Sequence, residues 1–172
     1  MQRQSSDQEL AESFTVASDE MALVVDKSGA GRLGFALMLK LFQLDGRFPA
    51  SLTDLPEIIV RHVARQLDVR EKSLGRYDVG GRSGRLHRGE IRKFTGFREF
   101  TDKDARVLVK WLTSQVMKND DNAAALTEKG CQRLRELKIE PPAPEPLERL
   151  VRSALHGAEQ RLFTGVDSQI PA

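Results

Sequence analysis

The sequence predicts an all-α fold, on three observations. Apolar residues recur at three- and four-residue spacing along most of the chain. Capping residues and glycines punctuate those runs, and no succession of strands can be read between them.

Taken in order, residues 1–14 form a polar, acidic tail. Ser18 is placed to cap a short helix through Lys27, with Asp19 and Glu20 in the first turn, where the helix dipole favours acids. Leu33 to Leu44 is a stronger helix, apolar on most faces and suited to the centre of a core, and Gly46 is placed to end it. After Phe48-Pro49, Thr53 or Asp54 caps a helix with Pro56 in its first turn and Val60, Val63, Ala64 and Leu67 on one face. A short helix from Arg70 to Tyr77 follows. Gly80, Gly81 and Gly84 then read as a linker or tight turn before a helix from Arg85 to Phe94.

Thr101 and Asp104 resemble a capping box, with Asp in place of Glu, opening a helix with Ala105, Leu108, Val109, Leu112 and Val116 on one face. Asn122 to Leu137 is the next helix. Glu140 to Pro146, with four prolines, reads as a stiff spacer. An amphipathic helix from Leu147 to Phe163 closes the fold, and a disordered tail is expected after Gly165. The organisation expected is a first unit at 15–79, a second at 80–140, and spacer, last helix and tail at 141–172.

The net charge of +2 hides a strong asymmetry. Residues 1–60 carry −4, residues 61–98 carry +7 and residues 99–172 carry −1. A cluster of that kind attracts polyphosphates, whereas scattered charge mainly confers solubility. No apolar run approaches the ~20 residues that span a bilayer. The polar start shows no signal peptide, and Cys131 has no partner cysteine, so a reducing cytoplasm is expected.

Two motifs carry the chemistry. Val63 to Val69 has the small residue, turn and following apolar residue of a helix–turn–helix crossing. Asp68 stands where glycine is usual, and Asp tolerates left-handed backbone better than most residues. The helix after it would present Arg70, Lys72, Ser73 and Arg76. Leu67-Asp68-Val69-Arg70-Glu71 has an echo in Thr95-Gly96-Phe97-Arg98-Glu99, as two tandem units would; two ordinary helix–helix turns are the alternative. The second motif is basic: Arg82, Arg85, Arg88, Arg92, Lys93 and Arg98 against one acid, Glu90. On a helix Arg85, Arg88 and Arg92 share a face flanked by Lys93, opposite His87, Ile91 and Phe94. Such a row offers guanidinium forks to phosphates or guanine edges.

Gly29-Ala30-Gly31-Arg32-Leu33-Gly34 fits the dinucleotide-binding glycine pattern, but no parallel strands follow to build the crevice. Close packing of two helices explains Gly34 better. His62, His87 and His156 are too dispersed for a metal site, no phosphate-binding Gly-Lys-Ser/Thr loop occurs, and no cofactor is expected.

Arg32-Leu33-Gly34-Phe35-Ala36-Leu37 and Gly46-Arg47-Phe48-Pro49 resemble the N-terminal region of transposases of the Tn-three family. So do Leu86-His87-Arg88-Gly89-Glu90-Ile91-Arg92, Gly96-Phe97-Arg98-Glu99-Phe100 and Leu147-Glu148-Arg149-Leu150-Val151. The resemblance implies tandem, CENP-B-like helix–turn–helix units that bind the terminal inverted repeats of a replicative transposon. Catalytic acids, in that family, lie far downstream, so it implies a non-enzymatic chain associated with the bacterial nucleoid. The expected partners are double-stranded DNA and either the rest of a transposase or a second copy. The expected contacts are Arg70, Lys72, Ser73 and Arg76 from one unit and Arg82, Arg85, Arg88, Arg92, Lys93 and Arg98 from the other. A helical module that docks on a full-length transposase is the alternative.

Overall fold

The computed structural model describes residues 12–119 and 122–167. These form seven α-helices and one 3-10 helix, with no strand and one isolated bridge between Arg98 and Ile139. By internal contacts the chain divides into two compact units, Met1–Gly96 and Phe97–Ala172. The division therefore falls after the basic helix, whereas the sequence placed it near residue 80.

Unit 1 comprises α1 (Ser18–Val25), α2 (Gly29–Asp45), α3 (Glu57–Gln66), a 3-10 helix (Glu71–Arg76) and α4 (Arg82–Thr95). The α2 helix is the hub, and every other element of the unit packs on it. Leu33 to Lys40 and Phe42 are buried without a break, so α2 has no solvent face at its centre. Gly46, at φ 68°, ends it in the left-handed conformation that glycine adopts at no steric cost. The buried Lys40 is tolerated because Glu20 of α1 faces it, Nζ to Oε2 at 2.5 Å. Glu20 also accepts the Gln43 amide and the Ala17 backbone N–H, both at 2.7 Å. That second bond corrects the expected cap. Ala17 is the N-cap, and Ser18 is the first helical residue, because the Glu20 carboxylate already sits at the helix start.

The tail expected at 1–14 lies outside the described residues up to residue 11, but Phe14 is 2% exposed and belongs to the core. The chain beside it is tied to α3 by Val16 N–H donating to Gln66 Oε1 at 2.8 Å. The glycine pattern at 29–34 opens α2 rather than following a strand, and Leu23 to Val25 lie in α1.

Unit 2 is a three-helix bundle of α5 (Asp102–Asn119), α6 (Ala123–Glu136) and α7 (Pro144–Asp167). Its core joins Leu108 and Leu112 of α5, Leu126, Cys131 and Leu134 of α6, and Leu147, Val151 and Ala154 of α7. Trp111 packs at the rim of this core, with the Arg133 guanidinium 5.8 Å from its ring centre. The Thr101–Asp104 box forms as expected: Thr101 N–H donates to Asp104 Oδ2 at 2.9 Å. Asn122 caps α6 through the Ala125 N–H at 2.9 Å.

The Pro-rich segment is not a free spacer. Arg98 N–H donates to Lys138 O and Glu140 N–H to Arg98 O, both at 2.9 Å, and Ile139 is buried. The α7 helix begins at Pro144, three residues earlier than the sequence suggested. Prolines fit there because first-turn N–H groups have no helical acceptor to lose. The tail expected after Gly165 lies outside the described residues from 168 on.

Candidate nucleic-acid interface

The segment after α3 is set by how α3 ends. Asp68 takes φ 52°, Val69 N–H donates to Ala64 O at 3.0 Å, and Asp68 N–H to Arg65 O at 3.3 Å. This pair of bonds is a Schellman closure built on Asp instead of Gly. Lys138, at φ 56°, ends α6 with the same pair of bonds, Ile139 to Leu134 and Lys138 to Arg135. The helix expected at Arg70–Tyr77 forms as a 3-10 helix over Glu71–Arg76, followed by Tyr77, whose ring packs on α2. Residues three apart line up on a 3-10 helix, which puts Arg70, Ser73 and Arg76 in one row and Lys72 on another side. Arg70, Lys72 and Arg76 are exposed. Ser73 is half-buried, and its hydroxyl donates back to Arg70 O at 2.6 Å.

Tyr77 holds this segment against both α2 and α4. Its ring lies flat on Gly34, where a Cβ would meet the ring at 2.3 Å, so Gly34 admits a ring and not a second helix. Its hydroxyl is 2.7 Å from His87 Nδ1 and 3.2 Å from Met38 Sδ. His87 is buried, with its ring edge-on to Phe35 at 5.2 Å. Burial and the nearby Lys27 charge lower its pKa, so it is a neutral packing residue near pH 7. Burial raises the Tyr77 phenol to about 12.

The α4 helix starts at Arg82, earlier than expected, and takes Gly84 into its first turn. A Cβ there would meet Val79 O at 2.1 Å, so the turn and the helix touch backbone to backbone. Gly84, His87 and Ile91 form the buried face. Phe94, expected on that face, is 37% exposed. Arg82, Arg85 and Lys93 are exposed, whereas Arg88 and Arg92 lie at the flanks, half-buried. Arg88 Nη2 donates to Val79 O and Arg85 Nη1 to Gly80 O, both at 2.8 Å, and Arg92 lies over the Phe48 ring at 5.6 Å. The one acid of the segment, Glu90, is turned to Lys27, Nζ to Oε2 at 2.6 Å. The outer face of α4 thus carries cations that no carboxylate neutralises among the described ion pairs.

Arg98 is not part of that face. It stands in unit 2, where both arms of its guanidinium grip Asp104 at 2.7 Å. The Asp104 carboxyl is held well below the usual carboxylate range, first by Arg98 and then by Thr101. Sequence reasoning missed a different group, Lys103, Arg106 and Lys110. They lie three and four residues apart on the exposed side of α5, with no ion pair among the described residues. The spacing was legible, but the −1 balance of residues 99–172 concealed it. On α6 and α7 the charges are instead mixed and, on α6, partly paired, as in Arg133–Glu136 and Arg135–Glu128.

The described residues hold no group of three or more His, Cys, Asp or Glu that could bind a metal. No described helix is long and apolar enough to cross a membrane.

Three curated relatives are transposases. The chain is 29% identical over 158 residues to the transposase for transposon Tn1546 of Enterococcus faecium, covering 91% of this chain and 16% of that protein. It is 27% identical over 159 residues to the transposase for transposon Tn501 of Pseudomonas aeruginosa, 92% and 16% respectively. With the transposase for transposon Tn3926 of Escherichia coli the identity is 29% over 168 residues, 94% and 16%. The chain therefore spans about one sixth of the length of these relatives. A family model covers residues 1–154, through all of unit 1 and the core of unit 2, and the chain accordingly belongs to the family described as Domain of unknown function (DUF4158).

Proposed function

We propose that this chain binds double-stranded DNA, at the terminal inverted repeat of a transposon, as the N-terminal recognition region of a Tn-three-type transposase. The observation that carries the reading is the single-sign outer face of α4, with Arg82, Arg85 and Lys93 exposed and Glu90 turned away to Lys27. A solvated helix face normally mixes signs, and phosphate is the partner that rewards unmixed cations. Arg88 and Arg92 flank this face, while Arg70, Lys72, Ser73 and Arg76 supply further contacts from the same unit. Arg98 we assign to the start of α5. Lys103, Arg106 and Lys110 give unit 2 a basic face of its own, so the two units act as tandem DNA-binding modules.

The chain has no chemistry of its own in this reading. Strand cleavage and transfer belong to the remainder of the longer relatives, and the setting is the bacterial cytoplasm, at the nucleoid. If about six phosphates are neutralised, log affinity falls with log salt at a slope near −5. The triple variant Arg82→Ala, Arg85→Ala, Lys93→Ala flattens that slope by about 3, one unit for each lost phosphate contact. An unchanged slope would overturn the assignment of α4. Selection from a random duplex library yields a logo with inverted-repeat character; binding without sequence preference would overturn end recognition.

A second reading, docking on a full-length transposase, is favoured by the apolar surface of unit 2. Val107 and Leu137, 56% and 49% exposed, flank a cleft floored by Trp111 and Leu134. Size-exclusion chromatography with and without duplex DNA separates the two, since a stable oligomer indifferent to DNA supports docking.

A further inference from the structure

Six of the described glycines have an internal reason to be glycine. Gly29, Gly46 and Gly96 take φ of +47°, +68° and +74°. Gly34 lies under the Tyr77 ring, and Gly81 and Gly84 sit against the 78–79 turn. Gly31, Gly80, Gly130 and Gly157 would each accept a Cβ at ordinary van der Waals distance, but there it would face His87, Asp78, Leu147 and Thr113 of this same chain. Gly75 opens onto a cavity between the 50–55 loop and the 3-10 helix.

Gly89 has neither a positive φ nor any neighbour within this chain. It lies in the interior of α4 with helical backbone, it is exposed, and nothing stands within 4 Å of where its Cβ would be. A glycine there weakens the helix relative to alanine and returns nothing inside the molecule. Its helical neighbours on the outer face are Arg85, the 64% exposed Leu86 and Lys93, with Arg82 one turn further on. The one unexplained gap in the side-chain cover of α4 therefore falls inside its ring of unneutralised cations.

We propose that duplex DNA approaches α4 most closely at Gly89, where the bare helix backbone lets the nucleic acid come nearer than any side chain would allow. Arg82, Arg85 and Lys93 then straddle the contact and reach phosphates on either side. A major groove admits an α-helix, and the missing side chain sets how deeply this one is seated. This inference rests on the DNA-binding reading and deepens it, because it fixes which line of α4 faces the duplex.

The test turns on two quantities that move in opposite directions. Gly89→Ala raises the melting temperature, by about 2–8 °C for a helix-interior Gly-to-Ala gain. The same variant weakens binding to the selected duplex about tenfold, and Gly89→Gln weakens it further. The salt slope stays at the wild-type value in both, because no cation is removed. A Gly89→Ala protein that binds as tightly as wild type, while the Arg82/Arg85/Lys93 triple variant loses slope, overturns the inference and leaves DNA binding standing. Failure of the wild-type chain to bind duplex DNA at all overturns both. Unchanged DNA affinity with an altered oligomeric state in Gly89→Ala also overturns it, and assigns the gap to a protein partner.

Discussion

The ring of Tyr77 occupies the space that a side chain on Gly34 would need, with Tyr77 Cγ only 2.3 Å from the Cβ position. This contact joins the hub helix to the segment carrying Arg70, Lys72 and Arg76. Gly34→Ala must push out an aromatic ring that is also tied to His87. Overpacking of this kind costs about 1–3 kcal/mol. Thermal denaturation of the Gly34→Ala variant should show that loss, and a melting point equal to wild type would show the ring to be free to move. Tyr77→Phe keeps the ring and loses only the hydroxyl contacts, so its cost should be smaller.

The Tyr77–His87 pair also sets a pH window. The His87 pKa is lowered in the folded chain, mainly by burial and then by Lys27, so the folded state binds its proton less readily than the unfolded state. Its contribution to stability is therefore full above the unfolded value of 6.5 and is lost as pH falls below it. At the other end Tyr77, raised from 10.0 to about 12, contributes below pH 10 and loses that contribution as pH rises through about 12. Denaturant titrations of wild type and His87→Gln between pH 7 and pH 5 check the acid limb. The wild type should lose stability faster than the variant, and parallel curves would exclude His87 as the cause.

Glu20 and Lys40 make the buried charge pair of unit 1, and removing either partner strands the other inside the core. Glu20→Ala should cost about 3–5 kcal/mol, because the buried ammonium of Lys40 loses its carboxylate partner. The double variant Glu20→Leu, Lys40→Met should recover most of that loss, since apolar replacement of a buried pair is often neutral or stabilising. Burial alone would raise the Glu20 pKa, yet the bonds from Lys40, Ala17 and Gln43 lower it overall. Its contribution is accordingly present above pH 4.5 and is lost on further acidification.

The all-helical class was legible because helical periodicity is a local property, and so were the end at Gly46 and the cap at Thr101. Long-range contacts were not. Nothing near Gly34 in sequence shows that Tyr77, forty-three positions on, will lie over it, so the glycine was assigned to helix packing. The 3-10 form of 71–76 was likewise not legible, since periodicity and propensity do not separate a short 3-10 helix from an α-helical turn. On α4 the wheel identified the buried His87 and Ile91 correctly. It placed Arg88 and Arg92 on the outer row, although both lie at the flanks, where Val79 O and the Phe48 ring hold them. Arg98 was counted with the basic helix because it is near in sequence, but Gly96 ends that helix and Asp104 claims the guanidinium in the next unit.

Arg98 gives the prediction that separates stability from binding most clearly. Its two 2.7 Å bonds to Asp104 lock the carboxylate that also accepts the Thr101 N–H, so three residues close the start of α5 together. Thr101→Ala should cost about 1 kcal/mol, the ordinary value of a lost N-cap. Arg98→Ala should lower the melting temperature in the same sense, and it should let the Asp104 carboxyl titrate nearer its usual range. Because Asp104 is depressed in the folded state, that stabilisation is present above pH 3.8 and fades only as pH falls below it. Loss of Arg98 should therefore be felt at neutral pH and vanish in strong acid. The salt slope of DNA binding should not change in Arg98→Ala, in contrast to the α4 triple variant. A slope reduced by about one unit would instead mean that Arg98 leaves Asp104 for a phosphate when DNA binds.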